Sequence, residues 1–205
     1  MRRPALIRMI IVYVVYTLLI CCFQVSFSQV MTFKGQVADL MLIYTVVVSY
    51  FYGFLDGAIV GISVGLLRDF FAAPAVTITG GKIVPSVGIG ILVMFLASAI
   101  ASSFFTKRMR RNSLFSLVAV AVVTLLYKVS GHIIIGIWTR AVMHKGYNLT
   151  FAQIIFESIL PQILLNIVCA IPVILLLRYL GPYRKGINPR FNSESELENN
   201  LWLKI

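Results

Sequence analysis

Five apolar runs separated by short polar or basic stretches make up most of the chain, from Ala5 to about Ser28, Val37 to Phe71, Ile83 to Phe105, Ser113 to Trp138, and Phe151 to Leu180. A helix needs about 20 apolar residues to cross a bilayer, so four of these runs each predict one span. The second is long enough for two. Gly53, Asp56 and Gly57 in its middle predict where it breaks, and Asp56 is expected to face water there. The pattern therefore predicts an all-α polytopic membrane protein of about six transmembrane helices. Pro161 and Pro172 predict kinks in the last of them. The first run exceeds the roughly 7–15 residues of a signal-peptide core, so a retained helix is expected rather than a leader cleaved near Ser26-Phe27-Ser28.

Within the second run, Gly53, Gly57, Gly61 and Gly65 recur every four residues and so share a helix face. In water each would weaken a helix by about 1 kcal/mol relative to alanine. In lipid, small residues are what allow two backbones to approach closely. The ladder thus predicts a face on which another helix docks, either from this chain or from a partner.

Composition sharpens the class. The chain is 60% hydrophobic and 12% charged, with mean hydropathy +0.94, which excludes a soluble core. Its net charge of +11 comes without an aromatic-interleaved basic patch, so nucleic acid is not the expected partner. The basic residues report topology instead. With six spans, one side carries Arg2, Arg3, Arg8, the run Lys107-Arg108-Arg110-Arg111, Arg178, Arg184, Lys185, Arg190 and Lys204; the other carries Lys34, Arg68, Lys82, Arg140 and Lys145. The positive-inside bias then places both termini in the cytoplasm. Residues 1–185 are expected to form a single six-helix domain and 186–205 a polar cytoplasmic tail. Cys21, Cys22 and Cys169 have neither metal-site nor disulfide spacing.

Ionisable groups inside the membrane are the natural candidates for function. The topology brings Asp39, Arg68, Asp69, Lys128, His132 and Glu157 toward one depth near the outer side. Two readings stand: an outward-facing polar cavity or partner-contact site, and an ion-pair network that fixes helix register. His132 has no second histidine within helical reach and reads as a packing residue rather than a metal ligand. The chain carries no HExxH, GxSxG, phosphate-loop or dinucleotide-binding signature, so neither enzymatic activity, a cofactor nor a metal is expected.

The segments Ala38-Asp39-Leu40-Met41-Leu42-Ile43, Gly53-Phe54-Leu55-Asp56-Gly57 and Gly61 through Gly65-Leu66-Leu67-Arg68-Asp69 resemble the central block of the rod shape-determining MreD family. So does Leu160-Pro161-Gln162-Ile163-Leu164-Leu165-Asn166, followed by Ala170, Pro172 and Leu177-Arg178. The resemblance extends from about Val37 to Leu180, with a longer insert at Ala72 to Pro85 and an added hydrophilic tail. It implies structural roles for Pro161 and Asn166. It also implies a multi-pass scaffold of the bacterial inner membrane, within the elongasome that controls cell shape and lateral peptidoglycan synthesis. The implied partners are an MreC-like bitopic protein and, through it, MreB filaments, RodA and its transpeptidase. The family's fold is similar to the substrate-binding subunits of energy-coupling-factor transporters. That similarity supplies the alternative, a vitamin transporter's substrate-binding component with its pocket near Asp39, Asp69 and Glu157.

Overall fold

A run of thirteen wholly buried residues forms the axis of the fold. The computed structural model describes residues 3–27, 32–71, 75–78, 82–85, 88–103, 113–141 and 150–183. The polar tail and the basic run from Lys107 to Arg111 lie outside the described residues. In chain order the elements are α1 (Arg3–Phe27), a hairpin of β1 (Thr32–Phe33) and β2 (Gln36–Val37), α2 (Leu40–Tyr52), α3 (Phe54–Phe71), a hairpin of β3 (Ala75–Ile78) and β4 (Lys82–Pro85), α4 (Ile89–Ser103) and α5 (Ser113–Ala141). A short α6 (Phe151–Gln153) then runs through a π-helical turn (Ile154–Ile159) into α7 (Leu160–Leu180). The axis is α2, and α1, α3, α4, α5 and α7 all pack against it.

The fold is mostly helical, with two small additions that the apolar pattern does not predict. In the first hairpin Thr32 pairs with Val37 and Phe33 with Gln36. Its turn residues, Lys34 (φ +50°) and Gly35 (φ +74°), both take the left-handed conformation that a two-residue turn between twisted strands requires. In the second, Ala75 pairs with Pro85 and Ile78 with Lys82. The third apolar run therefore becomes helix at Ile89 rather than Ile83. Residues Lys82–Pro85 are strand, and Gly88, at φ +108°, redirects the chain before the helix starts.

Gly53 makes the break in the second run. Its φ of +96° is a conformation other residues rarely adopt, its N–H closes on Ser49 O at 3.1 Å, and Gly57 N–H returns to its carbonyl at 3.0 Å. The chain turns back on itself there. Gly57 lies against Ser49 and Gly61 against Thr45, so equal steps on either side of Gly53 meet and α2 and α3 are antiparallel. Asp56 and Gly57 belong to the first turn of α3, not to the break. Asp56 is buried, contrary to the expected water-facing position, because the hydroxyls of Tyr13 and Tyr183 both donate to its Oδ2.

Proline shapes the last helix. Pro161 has no N–H to offer the carbonyl four residues before it, and its ring crowds that carbonyl. The preceding turn is widened, with Leu160 N–H reaching back to Ile155 O. Pro172 lies within α7 itself.

The helices alternate in direction. At one end, called the hairpin end, lie the last turns of α1 and α3 and the first turns of α2, α4 and α7. At the opposite end α1 begins and α7 finishes. There the last carbonyls of α7, which have no partner within the helix, accept from earlier side chains: Tyr52 OH to Leu177 O at 3.2 Å, Tyr16 OH to Leu180 O at 3.0 Å, and Arg8 to Gly181 O at 3.4 Å.

Among the described residues, three helical stretches, Leu6–Ser26, Ser113–Ile134 and Phe151–Leu180, are long and apolar enough to cross a membrane; Leu40–Tyr52 and Ile89–Ser103 are shorter apolar helices. Large apolar side chains such as Leu18, Ile62, Leu92, Leu126 and Val168 stand exposed on α1, α3, α4, α5 and α7. An exterior this apolar is matched to lipid rather than to water.

Candidate functional site

The polar residues at the hairpin end separate into a pocket and a set of helix ties. The pocket, of about 320 Å³, is lined by residues from α1, the first hairpin, α2, α3, α5 and α7, among them Gln24, Gln36, Asp39, Arg68, Lys128 and Gln162. Asp39 caps α2: its Oδ1 accepts the Leu42 N–H at 3.0 Å, satisfying one of the donors left free at a helix start. Its Oδ2 takes Arg68 Nη1 at 2.8 Å from the end of α3. Arg68 Nη2 donates to the hydroxyl of Tyr127 on α5 at 2.8 Å, and the guanidinium carbon lies 5.4 Å from that ring's centroid. Lys128, the next residue on α5, donates to Gln36 Oε1 at 2.7 Å and thereby holds the first hairpin.

Asn166 joins three helices behind the pocket. Fully buried on α7, it accepts the Asp39 N–H at 2.9 Å and donates to Thr124 Oγ1 on α5 at 3.0 Å. One turn earlier, Gln162 donates to Val37 O at 2.6 Å, while Gln24 bridges Ala38 O and Leu40 N. A buried polar group left unpaired costs about 1–3 kcal/mol, and Asn166→Leu strands both the Asp39 N–H and the Thr124 hydroxyl. This variant is expected to unfold several degrees below the parent in a detergent melt; an unchanged midpoint would mean that the tie contributes nothing.

Of the six ionisable residues the sequence grouped, Asp39, Arg68 and Lys128 line the pocket. The other three lie elsewhere. Asp69 turns to α4, accepting the N–H groups of Gly90 (2.8 Å), Gly88 (2.7 Å) and Ile91 (3.4 Å). His132 bonds Ser158 Oγ at 3.0 Å, linking α5 to the π-helical turn. Glu157, in that turn, is exposed. Sequence reasoning passed over Gln24, Gln36, Tyr127 and Gln162; the available signal was neutral amides and a phenol in otherwise apolar runs, which a search for charge does not register.

The glycine face looks inward. A Cβ on Gly61 would lie 2.9 Å from Met94 O, and one on Gly65 would lie 2.5 Å from Ile91 Cα and 2.6 Å from Gly90 O. Gly57 is closed against Ser49 in the same way. These three seat α3 on α2 and α4 of the same chain, while Gly53 is the turn. Pro161 follows the π-helical turn at the head of α7. Among the described residues, no group of three or more histidine, cysteine, aspartate or glutamate side chains could hold a metal ion.

The class these features define is a helical membrane protein with a polar pocket at one end of its bundle. Compared with family models, with curated proteins and with solved structures, the chain matches none.

Proposed function

We propose that the chain is a non-catalytic scaffold of the bacterial cell-elongation machinery. In this reading six helices cross the cytoplasmic membrane with both termini inside, and the bundle holds an MreC-like bitopic protein and, through it, the MreB filament and the wall-synthesis pair of RodA and its transpeptidase. The observation that carries the proposal is the use made of the residues that resemble MreD. Asp39 caps α2, Arg68 pairs with Asp39, Asp69 caps α4, Gly57, Gly61 and Gly65 seat α3, and Asn166 ties α7 to α2 and α5. A motif spent on helix packing suits a protein whose task is to present a fixed shape to a partner.

The pocket favours the second reading, a substrate-binding component of an energy-coupling-factor transporter, whose six-helix fold the bundle would then share. Mild detergent extraction from native membranes, tag purification and mass spectrometry separate the two. Recovery of an MreC-like bitopic protein is the expected result. Recovery of an ATPase pair with its coupling subunit would overturn the scaffold in favour of the transporter.

A further inference from the structure

The pocket at the hairpin end has an unbalanced charge. Asp39 is fully engaged, one carboxylate oxygen on the start of α2 and the other on Arg68, so that pair is neutral as a unit. Lys128 remains. Its ammonium has three N–H donors and one neutral acceptor, the amide oxygen of Gln36. Among the described residues no other carboxylate reaches it: Asp56 is bound by two tyrosines at the far end, Asp69 by the start of α4, and Glu157 does not line the pocket. A cation partly withdrawn from water inside an apolar bundle is costly unless an anion accompanies it.

The hydrogen-bonding capacity of the walls has the same sign. Of the side-chain acceptors, Gln24 Oε1 takes Leu40 N–H, Gln36 Oε1 takes Lys128 and Asp39 takes Leu42 and Arg68, while Gln162, which donates to Val37 O, keeps its amide oxygen as one acceptor on the wall. Lys128 and Arg68, by contrast, have more N–H groups than the bonds they make. About 320 Å³ of space with spare donors and a net positive charge is at the small end of ligand-pocket sizes.

We propose that this pocket binds one anionic group, a phosphate or carboxylate, with Lys128 as its counter-ion. The group can come from a lipid headgroup entering at the membrane edge or from a small free anion. The inference stands apart from the scaffold reading, since neither the partner nor the wall enzymes enter it.

The test uses the full chain in neutral detergent, at constant ionic strength set with sodium chloride. Inorganic phosphate is titrated against the melting temperature, and in parallel the protein is taken from phosphatidylcholine nanodiscs, with or without phosphatidylglycerol, for native mass spectrometry. Lys128→Met removes the charge and Lys128→Arg keeps it. A charge-assisted hydrogen bond is worth enough that Lys128→Met should weaken binding about tenfold or more. The parent and Lys128→Arg should both retain it. A phosphate-dependent stabilisation lost only in Lys128→Met supports the free anion. A phosphatidylglycerol molecule retained by the parent and lost in Lys128→Met supports the headgroup. If neither depends on the charge at Lys128, the proposal is overturned and Lys128 is an anchor for the hairpin.

Discussion

Gly65→Leu is expected to leave no monodisperse protein after detergent extraction. The Cβ alone would be placed 2.5 Å from the Cα of Ile91, and three further carbons would follow. Overpacking a core costs about 1–3 kcal/mol when neighbouring side chains can move aside. Here the neighbours are backbone atoms of α4, held in turn by Asp69 one helical turn further along α3, so α3 and α4 must separate as bodies. Replacing the exposed Ile62 with leucine on the same helix supplies the control, and it should behave as the parent. Size-exclusion chromatography and a thermal melt read the difference. An intact, parent-like peak for Gly65→Leu would show that α3 does not dock on α4 through this face. The same substitution at Gly61 should follow it. Loss of partner capture by either glycine variant would therefore report a collapsed bundle, not a damaged partner interface.

The second large effect is expected from Asp69→Asn. Both carboxylate oxygens are in use, Oδ1 on Gly90 N–H and Oδ2 on Gly88 and Ile91 N–H, at the positively polarised start of α4. Asparagine keeps one acceptor and turns an NH2 group toward an N–H donor. It also removes the negative charge. Together these should cost about 2–4 kcal/mol, from hydrogen bonds to a charged group and one stranded donor. A lowered melting temperature in detergent is the expected reading. A parent-like melt would mean that the start of α4 is held by something other than this carboxylate.

The helices were legible in the sequence because long apolar runs are visible without knowing what they touch; six spans are expected from them, and among the described residues three helical stretches have the length and hydropathy to cross a membrane. The break at Gly53 was legible too, as a glycine at the midpoint of a run twice the needed length. The hairpins were not, since strands of two to four residues leave no periodic signal and Lys34 is an unusual occupant of a left-handed turn. The roles of the acidic residues were hidden by distance along the chain. Asp56 meets Tyr13 and Tyr183, and Asp69 meets backbone groups near residue 90, so a reading by depth alone grouped Asp69 with Asp39 and left Asp56 to solvent. The glycine ladder announced a close helix contact, but the identity of the second helix depends on which way the chain turns after α3.

The tyrosines and arginine that cap the end of α7 also set an order of events during synthesis. Arg8 and Tyr16 are made first, and their acceptors, the carbonyls of Gly181 and Leu180, emerge 173 and 164 residues later. Contacts so remote in sequence form only after the intervening chain has been placed. Until α7 enters, Arg8 and Tyr16 lack these acceptors, and Asp56 has the Tyr13 hydroxyl but not that of Tyr183. The bundle therefore closes last, as a ring does when its two ends are joined. A nascent chain that stops short of α7 would leave these polar groups uncovered in the bilayer.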